Sequence, residues 1–395
     1  MSLFVQWSLI AWAFVVVCAW AFRSRAYALF RAIGLGLHVL FAAALYPRFH
    51  AVWPLFLYGH AVVFMQGLAL IRPRLRPLPY RVLVSIPAAF FGAGTLLALP
   101  WVLLSAFHVT LPWPALAYAA ALIGVLQSSW HRTEEVDLVV ADGESVPELR
   151  RHQNGVPRVT RPLSIVQITD PHLGPFMSVA RLQRICRRAV ERKADLIVLT
   201  GDFLTMESQS DPTLLATALA PLRAASGRTF ACLGNHDHEA LDTVKRALAN
   251  AGVQLLVDEA AEVDTAAGRV QILGLDFAFR DRKNHIDRAC VAHPRKPGHL
   301  RVVLLHDPGA FKYLPAGEAD LVLSGHTHGG QVGLVSLGLS WTMLRVFMNA
   351  PDHGFWARGV DRLYVHRGTG HYGFPLRLGV PAEESLLLVH ALSWA

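Results

Sequence analysis

The first 133 residues contain no aspartate, glutamate or lysine, and this absence constrains the fold of the chain most strongly. Nine arginines are the only formal charges there, at positions 23, 25, 31, 48, 72, 74, 76, 81 and 132. The same region contains five apolar stretches, at 3–22, 27–46, 51–71, 82–107 and 112–130. Each is close to the roughly 20 residues that a helix needs to cross the hydrocarbon layer. Because a backbone in lipid must satisfy its own hydrogen bonds, residues 1–132 are predicted to form about five transmembrane helices.

The distribution of arginines predicts the orientation of this bundle. The loops after the first and third stretches carry two and four arginines, whereas those after the second and fourth carry one and none. Arginine-rich loops stay on the cytoplasmic side. Five spans would therefore place everything after Trp130 in the cytoplasm, and four would reverse this. We expect an integral protein of a bacterial inner membrane, with its larger domain on the cytoplasmic face.

A cleavable signal peptide at 1–22 is disfavoured, because no basic residue precedes its apolar run and four more apolar runs follow. The net charge of +8 belongs to the first third, since the rest of the chain carries 28 basic and 29 acidic residues. A nearly neutral domain argues against nucleic-acid binding. The cysteines are scattered and predict buried thiols rather than a disulfide framework; they lie at 18, 186, 232 and 290.

Residues 133–162 are charged and rich in turn residues, so we predict a linker with a short strand at 136–140. Short apolar runs bounded by Gly, Asp or His then predict six buried strands. They lie at 163–169, 195–201, 229–234, 269–275, 300–306 and 319–325. Helical periodicity occurs at 178–193, where Ser178 is a suitable N-cap, and at 239–252. Alternating strands and helices predict an α/β domain over 163–395.

Five polar motifs follow apolar strands in this domain. They are TDPHLG (169–174), TGDF (200–203), LGNHDH (233–238), LLHDP (304–308) and SGHTHGG (324–330). Residues i and i+2 of an extended chain face the same side, so Asp170 and His172, like His326 and His328, are each expected to point two ligands at one place. The motifs together contain seven candidate metal ligands, namely Asp170, His172, Asp202, Asn235, His306, His326 and His328.

Imidazole and carboxylate ligands favour Mn, Fe or Zn over Ca or Mg. Seven ligands are too many for one tetrahedral zinc and suit two ions that share a bridging carboxylate. Two ions roughly 3.5–4 Å apart are a common arrangement for phosphoester hydrolysis. A single GD or NHD means little, and an isolated H-x-H is more often structural. Five such motifs, each at the end of a strand, predict a two-metal centre.

The set of motifs resembles the calcineurin-like metallophosphoesterase superfamily, whose pattern runs D-x-H, G-D, G-N-H-[DE], H, G-H-x-H. The resemblance covers about 163–392. The sequence GHTHGGQ, with RGTGHYGFPLRLGVPAEESLLL at 367–388, is similar to the subgroup of membrane-linked bacterial phosphodiesterases and transmembrane metallophosphoesterase-domain proteins. The resemblance implies a four-layer α/β/β/α sandwich and two divalent metal ions, whose identity as Mn, Fe or Zn stays open.

The resemblance also implies a role for each candidate residue. One ion would be held by Asp170, His172 and His328. The other would be held by Asn235, His306 and His326. Asp202 would bridge the two ions.

Two further residues are candidates for catalysis. His236 aligns with the catalytic imidazole of the family, and Asp237 would orient that imidazole. Weaker candidates for lining the pocket, each of which suits an ordinary structural role equally well, are His238, Asp276, Arg367 and His371.

The implied reaction is hydrolysis of a phosphomonoester, phosphodiester or pyrophosphate. Five spans exceed what anchoring requires, so a lipid-linked substrate is the leading hypothesis. UDP-2,3-diacylglucosamine is the named candidate, by analogy with similar subgroups. The bilayer and this substrate are the expected partners. One alternative is a membrane-localised phosphodiesterase for water-soluble or cyclic nucleotides. A non-catalytic sensor with a degenerate domain is another, disfavoured because no expected ligand is replaced. The sequence leaves the oligomeric state open.

Overall fold

The computed structural model describes residues 2–141, 143–153, 159–348, 350–371, 373 and 376–392. The chain divides into two compact units. The first comprises Met1–Ser129 with Gly373–Leu378, and the second comprises Trp130–Tyr372 with Gly379–Ala395.

The described part of the first unit is helical. Its α-helices are α1 (Leu3–Phe22), α2 (Arg25–Leu45), α3 (Trp53–Ala69), α4 (Leu78–Tyr80), α5 (Ile86–Leu97), α6 (Leu99–Ala106) and α7 (Ala115–Ser128). Three helical stretches are long and apolar enough to cross a membrane, namely Leu3–Phe22, Arg25–Ala69 and Leu78–Leu97, while Ala115–Ser128 is apolar but shorter. These helices agree with the predicted bundle.

The 45-residue stretch Arg25–Ala69 is not one straight rod. Phe49 has non-helical backbone angles. The Nε2 atom of His38 lies 3.1 Å from Nδ1 of His60, whereas 22 residues of straight helix would separate them by roughly 33 Å. Thus α2 and α3 fold back on each other. The predicted fourth span, 82–107, is divided at Ala98, where ψ is 4°. The number of membrane crossings remains a prediction.

The second unit contains both strands and helices. Its strands are β1 (His131–Val140), β2 (Val146–Arg151), β3 (Leu163–Ile168), β4 (Leu196–Thr200), β5 (Thr229–Cys232), β6 (Gln254–Leu255), β7 (Glu259–Asp264), β8 (Arg269–Gly274), β9 (Leu300–Leu304), β10 (Leu321–Ser324), β11 (Gly354–Gly359), β12 (Asp361–Val365) and β13 (Ala382–Ala391). Its α-helices are α8 (Val179–Glu191), α9 (Pro212–Leu219), α10 (Leu241–Asn250), α11 (Arg282–Ala292) and α12 (Leu344–Phe347). All six predicted strands are present, and the Ser178 side chain caps α8 as predicted.

The strands form two sheets, with orders β1-β13-β3-β4-β5-β6 and β2-β11-β12-β10-β9-β8-β7. Apolar side chains of both sheets, such as Ile165 and Val302, meet in one buried core between them. On the outer face of the first sheet, α8, α9 and α10 contribute to a second core that includes Leu182. On the outer face of the second, α11 contributes Ile286 to a third. The predicted four-layer α/β/β/α sandwich is therefore confirmed.

The stretch predicted to be a linker belongs to both sheets. β1 begins at His131, two residues before the predicted linker, and pairs in parallel with β13. β2 lies wholly within the linker and pairs with β11. Both are edge strands. Most of their charged side chains, such as Glu135 and Arg150, remain exposed, so the apolar pattern that identifies a buried strand is weak. Residues 142 and 154–158 of the predicted linker lie outside the described residues.

The topology brings the five motifs together. Strands β3, β4 and β5 run parallel in the first sheet, and β9 and β10 run parallel in the second. The Gln167 side chain in β3 crosses between the sheets and donates to the Ser324 carbonyl at 3.0 Å. Because side chains at the carboxyl ends of parallel strands gather at one sheet edge, the loops after these five strands can build one site.

Candidate metal centre

Six of the seven predicted metal ligands form two compact groups. The first contains Asp170, His172 and His328, and the second contains Asp202, His306 and His326. Within each group the ligand atoms lie within 4.8 Å of one another. The two imidazole nitrogens of the first group are 3.2 Å apart, as are those of the second. Each group therefore presents three nitrogen or oxygen ligands to one point.

Asp202 faces both groups. Its Oδ2 atom lies 3.3 Å from Nε2 of His306 and 3.7 Å from Nε2 of His172. Asp170 is more closely associated with the first group, at 3.5 Å from His328. A carboxylate oxygen between two sets of nitrogen ligands is placed as a bridging ligand would be. The geometry supports the role that the resemblance implied for Asp202.

Asn235 supplies the test of whether cations fit. Its Oδ1 atom is buried and has no hydrogen-bond donor among the described residues. Leaving such an acceptor unsatisfied costs about 1–3 kcal/mol, and a cation would remove that cost. The backbone amide of the next residue, His236, donates to Asp202 Oδ1 at 2.9 Å, so Asn235 belongs to the same loop cluster. Imidazoles, carboxylates and this amide oxygen together fit two divalent cations.

Five ligands adopt the left-handed backbone region, which non-glycine residues rarely occupy. Their φ angles are 51° for Asp170, 43° for His172, 58° for Asp202, 68° for His326 and 51° for His328. The backbone at these positions is therefore not extended, as the i and i+2 argument assumed. Asp170 and His172 still reach one group as predicted, whereas His326 and His328 belong to different groups. The ligands converge because tight turns follow the strands. Such strained conformations concentrate at functional sites, where the surrounding structure holds them in place.

Two glycines of the motifs are required by close packing. A Cβ atom on Gly325 would overlap Oδ2 of Asp170 and the hydroxyl of Thr169. A Cβ atom on Gly234 would overlap Oδ1 of Asp202. The absence of a side chain thus lets the loops approach the two aspartates.

Burial controls the ionisation of the first group. It raises the pKa of Asp170 to about 6 and lowers the pKa of His172 to about 3. Burial also lowers the pKa of His326, in the second group, to about 4. Neutral imidazole is the form that binds a metal, so His172 and His326 are ready to do so.

His306 and Asp202 behave as a coupled pair. Burial alone would lower the pKa of His306, but the Asp202 carboxylate raises it to about 10. Burial alone would raise the pKa of Asp202, but His306 lowers it on balance. Without an ion the imidazole keeps its proton, which a metal must displace.

Residues around the ligands hold them in position. The Nδ1 atom of His306 donates to the Thr200 carbonyl at 2.6 Å, which directs Nε2 toward the site. The Thr169 hydroxyl donates to Asp170 Oδ2 at 2.8 Å. Neither threonine was predicted to act at the site. Each is the first residue of its motif, at the end of a strand, and that position is the signal that could have identified them.

The Asp237 carboxylate, which was predicted to orient His236, contacts backbone amides. It accepts the backbone amides of Asp202, Phe203 and Gly234, each at 2.8 Å. These three bonds hold the loops after β4 and β5 together. Asp237 is therefore a positioning residue for the bridging carboxylate.

Glu239 is the carboxylate beside the His236 imidazole, with Oε1 3.0 Å from Nδ1. Burial alone would lower the pKa of His236, but Glu239 raises it above its ordinary value. The His236 ring lies 5.6 Å from that of His172, and its side chain is 19% exposed. It thus stands at the open side of the centre. An acidic residue three positions after a histidine in a helical turn was the sequence signal for this pair.

The four weaker candidates have other surroundings. Arg367 is buried and pairs with Glu134 at 2.7 Å and with Glu383 at 3.4 Å, so its role is structural. His238 pairs with Asp276 at 2.9 Å. His371 is buried, with its ring 5.3 Å from that of Phe176.

Comparisons with known proteins agree with this geometry. Residues 163–330 match the family described as calcineurin-like phosphoesterase. Phosphodiesterase YaeI of Escherichia coli (strain K12) is 29% identical over 236 residues, covering 57% of this chain and 82% of that protein. The uncharacterized metallophosphoesterase YkoQ of Bacillus subtilis (strain 168) is 30% identical over 246 residues, covering 58% and 84%.

A transmembrane protein with metallophosphoesterase domain from Bos taurus is 29% identical over 245 residues, covering 58% of this chain and 53% of that protein. The chain thus spans about half of that relative. From the motifs, the paired ligand groups and these relatives together, the chain belongs to the calcineurin-like metallophosphoesterase family and is a metal-dependent phosphoesterase.

Proposed function

We propose that this protein is a membrane-bound phosphoesterase that hydrolyses a phosphodiester or pyrophosphate bond in a lipid-linked substrate, with UDP-2,3-diacylglucosamine as the named candidate. The proposal of two-metal hydrolysis rests on the position of Asp202 Oδ2 between the two ligand groups. This atom lies 3.3 Å from Nε2 of His306 and 3.7 Å from Nε2 of His172. A carboxylate that faces both groups is suited to bridge two cations.

Two divalent cations in these groups would bind phosphate oxygens and offset the charge that develops during hydrolysis. Asp170, His172 and His328 would hold one cation, and Asn235, His306 and His326 would hold the other. The chain's own contribution to the reaction is positioning and proton transfer. Glu239 fixes the His236 ring through Nδ1. His236, at the open side of the centre, is placed to give a proton to the leaving oxygen.

Three observations support the membrane substrate. The first unit contains helices long and apolar enough to cross a membrane. One relative is a phosphodiesterase, and another is a transmembrane protein. A single helix already anchors a protein, so a multi-helix unit favours a substrate that resides in the bilayer.

The test compares substrates on the full-length protein in lipid nanodiscs. UDP-2,3-diacylglucosamine, bis(p-nitrophenyl) phosphate and a cyclic nucleotide are offered at matched concentrations. We expect the highest kcat/KM on the lipid-linked substrate, and no hydrolysis by the Asp202→Asn variant. Equal efficiency on lipid-linked and soluble substrates, with no benefit from a bilayer or micelles, would contradict the lipid substrate and favour a nucleotide phosphodiesterase.

We also propose that the second unit faces the cytoplasm, in a bacterial inner membrane. The arginine-rich loops after the first and third apolar stretches support this orientation. A reporter enzyme fused after residue 135 tests it. Reporter activity confined to the external compartment would reverse the orientation.

A further inference from the structure

Exposed apolar side chains of the second unit are concentrated in one segment, residues 332–348, here called the apolar hairpin. Among the described residues of that unit, twelve large apolar side chains are exposed, and eight of them lie in the hairpin. Phe347 is 77% exposed and Leu337 is 74% exposed. Scattered exposed apolar residues are ordinary, but a contiguous group of this kind marks an interaction surface.

The base of the hairpin is ordered by hydrogen bonds. Gly333 and Thr342 form an antiparallel bridge. The Leu334 amide donates to the Trp341 carbonyl at 2.9 Å, and the Met343 amide donates to Val332 at 2.8 Å. The exposed side chains are therefore presented by a fixed backbone.

The base is also attached to the last metal motif. The buried Thr342 hydroxyl donates to Asp352 Oδ2 at 2.6 Å. The backbone carbonyl of Asp352 accepts the hydroxyl of Thr327 at 2.6 Å. Thr327 stands between His326 and His328. The position of the hairpin is thus coupled to the position of two metal ligands.

The amino-acid composition of the hairpin indicates which kind of partner its exposed surface contacts. Residues 331–348 contain no aspartate, glutamate or lysine, and Arg345 is their only charge. Trp341 is 44% exposed among leucine, methionine and phenylalanine side chains. Aromatic and aliphatic side chains with a single cation suit the boundary between lipid headgroups and acyl chains. The same chain carries helices long and apolar enough to cross a membrane, so a bilayer is the apolar partner within reach.

We propose that the apolar hairpin inserts into the interfacial layer of the bilayer that holds the first unit. Leu337 and Phe347, on the exposed part, enter the lipid. The base of the hairpin is bonded to the H-T-H motif. Insertion would therefore hold the metal centre at the level of the lipid phosphate groups. The proposal rests on the membrane placement made under the proposed function and does not depend on the substrate.

The test measures contact between hairpin and lipid directly. Leu337→Cys and Phe347→Cys are made in a Cys18→Ser background, since the other three cysteines are buried. Each variant is labelled with an environment-sensitive fluorophore and placed, one copy per nanodisc, in lipids that carry a quencher near the headgroup. The matched control is Val291→Cys, an apolar side chain on α11 that is 82% exposed.

We expect the quencher to cause about a twofold or larger loss of fluorescence at 337 and 347, and little loss at 291. Equal, weak quenching at all three positions would overturn the proposal. A fluorophore at 337 that is shielded from water but not quenched by lipid would also overturn it, because protein would then cover the hairpin.

A kinetic measurement separates this proposal from the proposed substrate. The Leu337→Ser, Phe347→Ser double variant should keep its rate on soluble bis(p-nitrophenyl) phosphate and lose about tenfold on a lipid-borne phosphodiester. If lipid quenches the fluorophores but the wild-type protein hydrolyses both substrates at equal rates, the hairpin inserts and the lipid-linked substrate is wrong. No change in the lipid-borne rate would show that the hairpin does not set the height of the centre.

Discussion

Asp237 Oδ2 accepts the backbone amide of Asp202 at 2.8 Å. The other oxygen of Asp237 accepts the amide of the next residue, Phe203, at the same distance. Asp202 in turn faces both ligand groups. A buried acid therefore holds the backbone that carries the bridging carboxylate.

The Asp237→Asn variant tests that role. Asparagine presents an NH2 group to at least one backbone N–H, so a buried, charge-assisted hydrogen bond is lost. We expect destabilisation by about 1.5–3 kcal/mol and a lower metal content. Thermal unfolding in detergent and metal analysis measure the two effects. The control, Glu239→Gln in the same loop, should keep its metal. Full metal content with an unchanged unfolding midpoint in Asp237→Asn would show that the charge of Asp237 is not needed to hold the three backbone amides in place.

Substitution of His236 separates catalysis from metal binding. Because its side chain lies outside both ligand groups, His236→Ala should retain both cations while losing about 10²–10⁴-fold in kcat. The loss should be larger for a substrate with a poor leaving group, since that oxygen needs the proton most. Glu239→Gln should cause a smaller loss of the same kind. An unchanged rate with a poor leaving group would remove the proposed role of His236.

A methyl group at position 325 should disrupt the first ligand group. In Gly325→Ala the added carbon overlaps Asp170 Oδ2 and the Thr169 hydroxyl, so Asp170 must move. We expect loss of about one cation per chain and of nearly all activity. The control is Gly34→Ala, where an added carbon meets no atom within 4 Å. Normal metal content in Gly325→Ala would mean that the loop relaxes without disturbing the centre.

Removal of metal should abolish hydrolysis, and substitution of single ligands should lower the occupancy of one cation at a time. EDTA-treated protein is expected to regain activity with one or more of Mn, Fe and Zn. His328→Ala and His326→Ala each remove one ligand from a different group, so each should lower the occupancy of one cation. Asp202→Asn should weaken both. Metal analysis of the three variants provides the measurement, and hydrolysis that resists EDTA would refute the metal chemistry altogether.

Acid should destabilise the protein partly through Glu383. Burial alone would raise the pKa of Glu383, but His366 and Arg367 lower it to about 2. Since an exposed glutamate has a pKa near 4.3, its charge contributes stability above about pH 4 that is lost as the pH falls towards 2. The contribution at neutral pH is about 3 kcal/mol.

Glu383→Gln should lower the unfolding midpoint at pH 7 and reduce its dependence on pH between about 2 and 5. The exposed Glu148→Gln variant serves as the control. Equal acid dependence in Glu383→Gln and the wild type would show that Glu383 does not carry that dependence.

Local sequence determined the fold class and the candidate ligands. Buried strands such as β3 and β4 are short apolar runs, because a strand covered on both faces needs apolar side chains throughout. The motifs stand at the strand ends, and parallel pairing carries those ends to one edge. The edge strands β1 and β2 lacked this signal, since charged residues cover their exposed faces.

Only the tertiary structure decided how the ligands converge. The left-handed turns at Asp170 and His326 have no local signature, because loops packed around them impose that conformation. The tertiary structure also decided the partners of two acids that lie close to His236 in sequence. Asp237 accepts three backbone amides, whereas Glu239 contacts the His236 imidazole. Hydrogen bonds between loops that are 30 or more residues apart depend on how the sheets pack. The apolar hairpin depends on the same packing, because its side chains are apolar enough to suit a protein core and only the fold leaves them exposed.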